Sequence, residues 1–165
     1  MPDVQPYAGE IVGREHRLPV RVYYEDTDFT GVVYHGNYAR YFERGRSDFL
    51  RLAGVSHKAL QELPDPAAFT VTRIAVEFKR AARIDDALLV RTTYDAVRGP
   101  RLMIAQQILR GRDLIATAAV EAACIGLDGR ARKPPPGLVD ALKPLFARAP
   151  SGEVGTGSPP GGGAI

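Results

Sequence analysis

The feature that most limits how this chain can fold is a series of two-residue periods joined by very short turns. Ile74, Val76 and Phe78 alternate with Ala75, Glu77 and Lys79. Leu88, Val90, Thr92 and Tyr94 alternate with Leu89, Arg91 and Thr93. Leu102, Ile104, Gln106 and Ile108 form a third run, and residues 114 to 127 a fourth. Period two is the pattern of a strand with one buried face. Only Arg98-Gly99-Pro100 and Gly111-Arg112-Asp113 separate the last three runs. Parallel neighbours need a crossover of about a dozen residues, so turns this short force antiparallel pairing. The expectation is a four-strand meander.

Ahead of these runs the period is helical. Tyr38, Tyr41, Phe42, Phe49, Leu52 and Ala53 recur at the spacing of one helix face. Asn37 is the predicted N-cap and Gly54 the predicted stop. Arg44 and Asp48 stand at i, i+4 on the polar side. Gly45 in mid-helix costs roughly 1 kcal/mol relative to Ala, which implies that another element packs closely there. Upstream, Val20, Val22 and Tyr24 share one face of a short strand, with Arg21 and Tyr23 on the other. A short helix is expected from Ser56 to Glu62, ending at Pro64. A last one is expected near Leu138 to Ala147, after Pro134-Pro135-Pro136-Gly137. A helix with one aromatic face must bury it against the sheet, giving an α+β layered domain.

Composition narrows the class. One domain is expected from 165 residues. Residues 1–16 read as a polar leader, 17–148 as the patterned domain, and 149–165 as a disordered Gly/Pro-rich tail. Residues 150 to 165 hold six glycines, three prolines and one charge. Such a segment cannot bury enough apolar surface to offset its ordering entropy. No apolar run approaches the roughly 20 residues of a membrane span. The first residues carry an early Asp and two prolines and no apolar core of a signal peptide. One cysteine, Cys124, excludes an internal disulfide framework and points to a reducing, cytoplasmic compartment. Its apolar surroundings suggest an inert core thiol. Three histidines and one cysteine show no metal spacing, so no metal site is expected. The net charge of +3 is too balanced, and the arginines too scattered, to imply nucleic acid. A small anionic ligand needs only a few of them.

The segment RVYYEDTDFTGVVYHGNYARYFERGR, residues 21 to 46, resembles the signature of the 4-hydroxybenzoyl-CoA thioesterase family. It is closest to the Tol-Pal-associated acyl-CoA thioesterase branch. The matching positions are Arg21, Val22, Thr27, Asp28, Gly31, Val32, Val33, His35 and Tyr38. Weaker similarity extends from about residue 17 to 148. The resemblance implies a hotdog fold, a curved antiparallel sheet of about five strands wrapped around a long central helix. It implies a homodimer or tetramer with active sites at the subunit interface. It implies hydrolysis of an acyl-CoA to a carboxylate and free CoA, with no cofactor because coenzyme A belongs to the substrate.

The same resemblance makes Asp28 the catalytic carboxylate, as nucleophile or general base. A thioester carbonyl also needs donors aimed at the developing oxyanion. His35 stands seven residues on, at the helix entrance, where free backbone N–H groups converge. Its side chain is either a proton-transfer group or a pocket wall, while the amide near His35 or Gly36 polarises the carbonyl. Tyr34, Gly36, Asn37 and Glu43 complete the expected substrate site. Glu43 occupies a helix position where another hotdog branch keeps a catalytic carboxylate, although pairing with Arg46 is the plainer reading. Gly31 is expected in a tight turn that brings Asp28 back to the helix end. Asp26 reads as a turn or capping residue and Asp85-Asp86 as a hairpin feature. Arg98 and Arg101 flank the Gly99-Pro100 turn, where the family places its contacts to the CoA nucleotide. Lys79, Arg80 and Arg83 form a second basic cluster. The alternative of another class is a non-catalytic hotdog scaffold that binds acyl-CoA or an envelope protein partner.

Overall fold

The structure, a computed structural model, describes residues 2–147. The expected tail therefore lies outside the described residues. Six strands form one antiparallel sheet: β1 Glu10–Val12, β2 Glu15–Arg21, β3 Ala67–Phe78, β4 Ala87–Arg98, β5 Arg101–Arg110 and β6 Asp113–Gly126. Their order is β1-β2-β4-β5-β6-β3. Three helices accompany them: α1 His35–Leu52, α2 His57–Gln61 and α3 Pro136–Leu142. A long helix on one face of an antiparallel sheet is the α+β hotdog arrangement, with six strands where about five were expected.

Strands β4, β5 and β6 form the meander that the short turns required. Arg98 pairs with Arg101, and Arg110 with Asp113. Gly99 and Gly111 close the two turns at φ 60° and 58°. The first run departs from expectation. β3 lies beside β6 at the far edge, with Phe78 opposite Ala116. β2 takes the place beside β4, with Leu18 opposite Val90. The hairpin turns fix only three of the strands. The long connection through α1 carries the chain across the sheet and leaves β3 free to close the other side.

Two of the three alternating sets fall inward as read, whereas Ile74 and Phe78 of the first are exposed. Leu88, Val90, Thr92 and Tyr94 are buried, as are Leu102, Ile104, Gln106 and Ile108. They receive Tyr38, Tyr41, Phe42 and Phe49 of α1. Gly45 is the contact point. A Cβ there would stand 2.8 Å from Thr92 Oγ1 and 2.9 Å from Val90 Cγ1. Gln106 crosses the same gap. Its Nε2 donates to the Phe42 carbonyl and to Thr92 Oγ1, both at 2.8 Å. Cys124 is fully buried, and burial pushes its thiol pKa up.

Several local readings change. The sheet begins inside the stretch read as a polar leader, because β1 and the start of β2 form a hairpin. His16 is fully buried and its Nε2 lies 2.7 Å from Asp48 Oδ2. The Gly9 amide also donates to Asp48 Oδ2, at 2.8 Å. Asp48 thus points inward to the hairpin; its partner on the outer side is Arg51 at 3.5 Å, not Arg44. Tyr24 leaves the strand face. It begins a 3-10 turn, Tyr24–Asp26, and is 84% exposed. The N-cap of α1 is Tyr34, not Asn37, which sits inside the first turn. Asn37 instead donates through Nδ2 to the Asp26 carbonyl at 2.8 Å. Gly54 ends the helix region at φ 89°.

Candidate active site

The segment from Thr27 to Val33 folds back on itself. Thr27 bridges to Val33, the Asp28 amide donates to the Val32 carbonyl at 2.9 Å, and the Gly31 amide to the Asp28 carbonyl at 3.0 Å. Gly31 has φ 81°, a left-handed conformation that favours glycine. The loop is tied down at two further points. Val33 N donates to the Ala82 carbonyl at 2.8 Å, and Tyr34 N to the Asp26 carbonyl at 2.9 Å. Asp26 is buried and its Oδ2 accepts from the Tyr23 amide at 2.8 Å, so it is the capping residue expected. Burial and this carboxylate push the pKa of the Tyr41 hydroxyl up, and that hydroxyl has no hydrogen-bond partner among the described residues.

Asp28 projects from this frame. Its Oδ1 accepts from the Thr30 hydroxyl at 2.5 Å and the Thr30 amide at 2.8 Å. Its Oδ2 is unengaged among the described residues. The Thr30 hydroxyl and amide hold the carboxyl below the usual Asp value, with a smaller contribution from His35. The group is therefore ionised at neutral pH.

The entrance of α1 lies next to this loop. The Asn37 amide is used by the Tyr34 carbonyl at 2.9 Å. The amides of His35 and Gly36 have no acceptor among the described residues. Both point out of the helix N-terminus with the positive end of its dipole. Tyr34 covers Gly36 closely: a Cβ on Gly36 would meet Tyr34 Cε1 at 2.8 Å. The His35 ring lies 4.3 Å from the Tyr34 ring, tilted by 45°, and is exposed. Tyr38 is buried, accepts from the Ala82 amide at 3.4 Å, and burial pushes its pKa up. The structure thus gathers Asp28, Tyr34, His35, Gly36 and Asn37 in one place.

The remaining predicted residues lie elsewhere. Glu43 is eight residues along α1 from His35, about 12 Å at 1.5 Å per residue. It accepts from Ser47 Oγ at 2.5 Å and forms no ion pair with Arg46. Arg46 instead donates to Gln106 Oε1 at 2.9 Å. Arg98 and Arg101 sit at the far end of β4, whose near end, Ala87, pairs with Arg21 beside the Asp28 loop. Eleven residues of strand separate these ends, about 35 Å. Arg101 pairs with Glu121 at 3.1 Å. The second basic cluster is the one beside Asp28, since Arg83 bridges to Val32. Its members Lys79 and Arg80 pair with Glu77 and Asp113. Asp86 is a turn feature as read. Burial pushes its carboxyl up, but the Arg83 amide and Arg110 more than offset this and hold it low.

The sequence reading singled out Glu43 and Arg46 halfway along α1 but not Ser47 and His57 beside them. Ser47 Oγ lies 3.1 Å from His57 Nε2. Glu43, Arg46, Ser47 and His57 edge a pocket whose wall includes Phe69, Tyr94, Leu102 and Ile104. The i, i+4 spacing of Glu43 and Ser47 was the only available signal. His57 reaches them through the Gly54 turn, which no periodicity reveals. Among the described residues, no group of three or more His, Cys, Asp or Glu side chains is placed to hold a metal. No helix among them is long and apolar enough to cross a membrane.

Known proteins resemble this chain. An acyl-CoA thioesterase YbgC from Haemophilus influenzae is 40% identical over 110 residues, 67% of this chain and 80% of the relative. An acyl-CoA thioester hydrolase YbgC from Escherichia coli O6:H1 is 41% identical over 110 residues, 66% of this chain and 81% of the relative. A crystal structure of a probable thioesterase from Bartonella henselae superposes with a TM-score of 0.71 at 40% identity, covering 73% of this chain and 99% of that one. The pattern of the thioesterase-like superfamily matches residues 22–143, and the chain belongs to that superfamily.

Proposed function

We propose that this protein is an acyl-CoA thioesterase, with Asp28 as nucleophile or general base and the His35 and Gly36 amides polarising the carbonyl. The observation that carries the reading is the free Asp28 Oδ2 on a braced loop beside two unpaired helix-end amides. A carbonyl oxygen seated on those amides gains stabilisation as its charge develops. If Asp28 attacks, its oxygen bonds to the carbonyl carbon and the C–S bond breaks. CoA leaves as a thiolate that takes a proton, and water then hydrolyses the mixed anhydride. If Asp28 acts as a base, it takes the proton of a water that attacks directly. Either way one water is consumed and one carboxylic acid and one CoA thiol are formed. The resemblance of residues 21–46 supports the Tol-Pal-associated branch, and the single cysteine supports a reducing, cytoplasmic setting.

The active unit is a dimer in this reading. β3 is a 12-residue edge strand with Val71, Ile74 and Phe78 exposed, and such an edge invites pairing. Its sequence is self-complementary in antiparallel register about Ala75. Arg73 then faces Glu77 of the partner subunit, and Ile74 faces Val76 of the partner subunit. The C-terminal end of β3 lies by the entrance of α1, where Phe78 and Tyr38 rings are 5.4 Å apart. Its N-terminal half lines the Arg46 pocket. The Arg98–Arg101 turn is at that same end, since Arg101 pairs with Ala123 and Ala123 with Thr70. Two-fold pairing carries this end of one copy toward the Asp28 loop of the other. It supplies the CoA-binding arginines that the single chain keeps about 35 Å away.

The direct test is a hydrolysis panel of short-chain, long-chain and aromatic acyl-CoAs, followed by thiol release, for wild type and Asp28→Asn. Turnover in the wild type that is lost in the variant supports the reading. A folded wild type that releases no thiol from any of them overturns it in favour of a non-catalytic acyl-CoA binder.

A further inference from the structure

The pocket beside α1 contains a cation whose charge has no partner. Arg46 is half-buried, and the only side chain it bonds among the described residues is Gln106, a neutral amide, at 2.9 Å. No carboxylate among the described residues comes within ion-pairing distance of it. The nearest candidate, Glu43, is drawn away by Ser47 Oγ at 2.5 Å, with His57 behind at 3.1 Å.

The arginine is nevertheless firmly placed. Gln106 is 2% exposed and uses its Nε2 on the Phe42 carbonyl and Thr92 Oγ1. That leaves Oε1 to hold one Arg46 nitrogen. The Tyr94 hydroxyl donates to the Arg46 carbonyl at 3.3 Å. A guanidinium has five N–H donors and no acceptor. Four remain for a ligand or water. Removing the cation from water without a counter-ion is costly, so the group that recovers most is an anion with two oxygens in a fork.

The size of the pocket limits that anion. It has a volume of about 120 Å³. A cavity of about 150 Å³ takes a benzene ring. The space suits a carboxylate with two or three methylenes, and the walls from Phe69, Leu102 and Ile104 suit the methylenes.

We propose that Arg46 is a specificity residue that receives the distal carboxylate of a dicarboxylic acyl group, so that the preferred substrates are CoA monothioesters of dicarboxylic acids. This rests on the thioesterase reading above. There the pocket of one subunit faces the Asp28 loop of its partner, and the acyl chain runs from the helix-end amides across the β3 junction. The apolar walls hold the chain and the guanidinium reads its end. A methyl terminus leaves Arg46 without a partner and gains less.

The experiment compares matched substrates that differ only at the far end: glutaryl- against valeryl-CoA, adipyl- against hexanoyl-CoA, and pimelyl- against heptanoyl-CoA. The full chain is used, with kcat/KM as the readout. Wild type should favour the dicarboxylic member of at least one pair by about tenfold or more, the range of a charge-assisted hydrogen bond. Arg46→Met should bring that ratio below one, and Arg46→Lys should keep part of it. A wild type that favours the methyl-ended member of all three pairs overturns the proposal, whatever the variants do. So does an Arg46→Met protein that keeps the wild-type ratio. If Arg46→Met fails to fold, the wild-type ratios and competitive inhibition by glutarate against valerate decide. Hydrolysis without dicarboxylic preference sinks only this inference. Absence of hydrolysis with every substrate sinks the thioesterase reading beneath it.

Discussion

Asp28→Asn separates chemistry from folding unusually cleanly in this protein. The side chain anchors its own turn through Oδ1, which accepts from the Thr30 amide and hydroxyl. An asparagine carbonyl can accept the same two bonds, and asparagine is as much at home as aspartate in such turns. The loop has further anchors in Val33 N to the Ala82 carbonyl and Tyr34 N to the Asp26 carbonyl. The melting temperature should therefore stay within a few degrees of wild type. The variant loses the negative charge of the free oxygen. Without a nucleophile or base, kcat should fall by about 10² to 10⁴, the span of a positioned acid–base group. It should not fall to the uncatalysed rate, because the His35 and Gly36 amides still polarise the carbonyl. The pH profile adds a second reading. The Asp28 carboxyl is held low in the folded protein by Thr30. Its active form is the carboxylate, so activity is complete above the ordinary Asp value of about 3.9 and is lost only as pH falls through the depressed one. Wild-type kcat/KM should show no acid limb down to about pH 4. The assay is thiol release across pH 4 to 9 for both proteins, alongside melting curves. Near-wild-type turnover in folded Asp28→Asn would refute the assignment. A wild-type acid limb well above pH 4 would move the base away from Asp28.

Three further outcomes follow from the geometry. An equal mixture of Asp28→Asn and Arg98→Ala/Arg101→Ala chains, unfolded and refolded together, should regain about a quarter of wild-type activity, because half of the dimers then carry one complete site. Activity no higher than the mean of the two parents would place the arginines outside the site. Arg73→Glu should weaken the dimer by up to about 30-fold, from two like-charge pairs at roughly 1 kcal/mol each, and adding Glu77→Arg should restore it. Sedimentation equilibrium reads both steps, and an unchanged single variant would rule out the register about Ala75. Gly45→Val should cost about 1–3 kcal/mol in denaturant unfolding, because even its Cβ meets Thr92 Oγ1 at 2.8 Å and Val90 Cγ1 at 2.9 Å. A neutral result would mean that α1 shifts freely over the sheet.

Much of this protein is legible as a string. Period two with three-residue turns gave β4, β5 and β6 and their inward faces, because alternation and turn length are local properties of the backbone. The aromatic spacing gave α1, and Gly45 marked its closest approach to the sheet. The spaced motif from Arg21 to Arg46 pointed to the loop and helix end that the fold places together. That could be read because Asp28, Gly31, His35 and Gly36 lie within nine residues, so short-range geometry alone joins them.

Tertiary structure decided what depends on distant partners. β3 lies beside β6 and not beside β4 because β2 takes the place beside β4 and the link from Lys79 to Asp86 is too long to impose a tight hairpin. Asp48 turns inward because the Glu10–Arg21 hairpin brings His16 and the Gly9 amide to it, a pairing 32 residues apart in the chain for His16. Arg46 lacks a carboxylate because Ser47 claims Glu43 and Gln106 claims one of its nitrogens, and Gln106 is 60 residues away. Arg98 and Arg101 are separated from Asp28 by the length of a strand, a distance that sequence spacing does not record. Local order follows from the chain's own periodicity; the pairing of side chains across the sheet follows only when the core closes and buried polar groups must find partners.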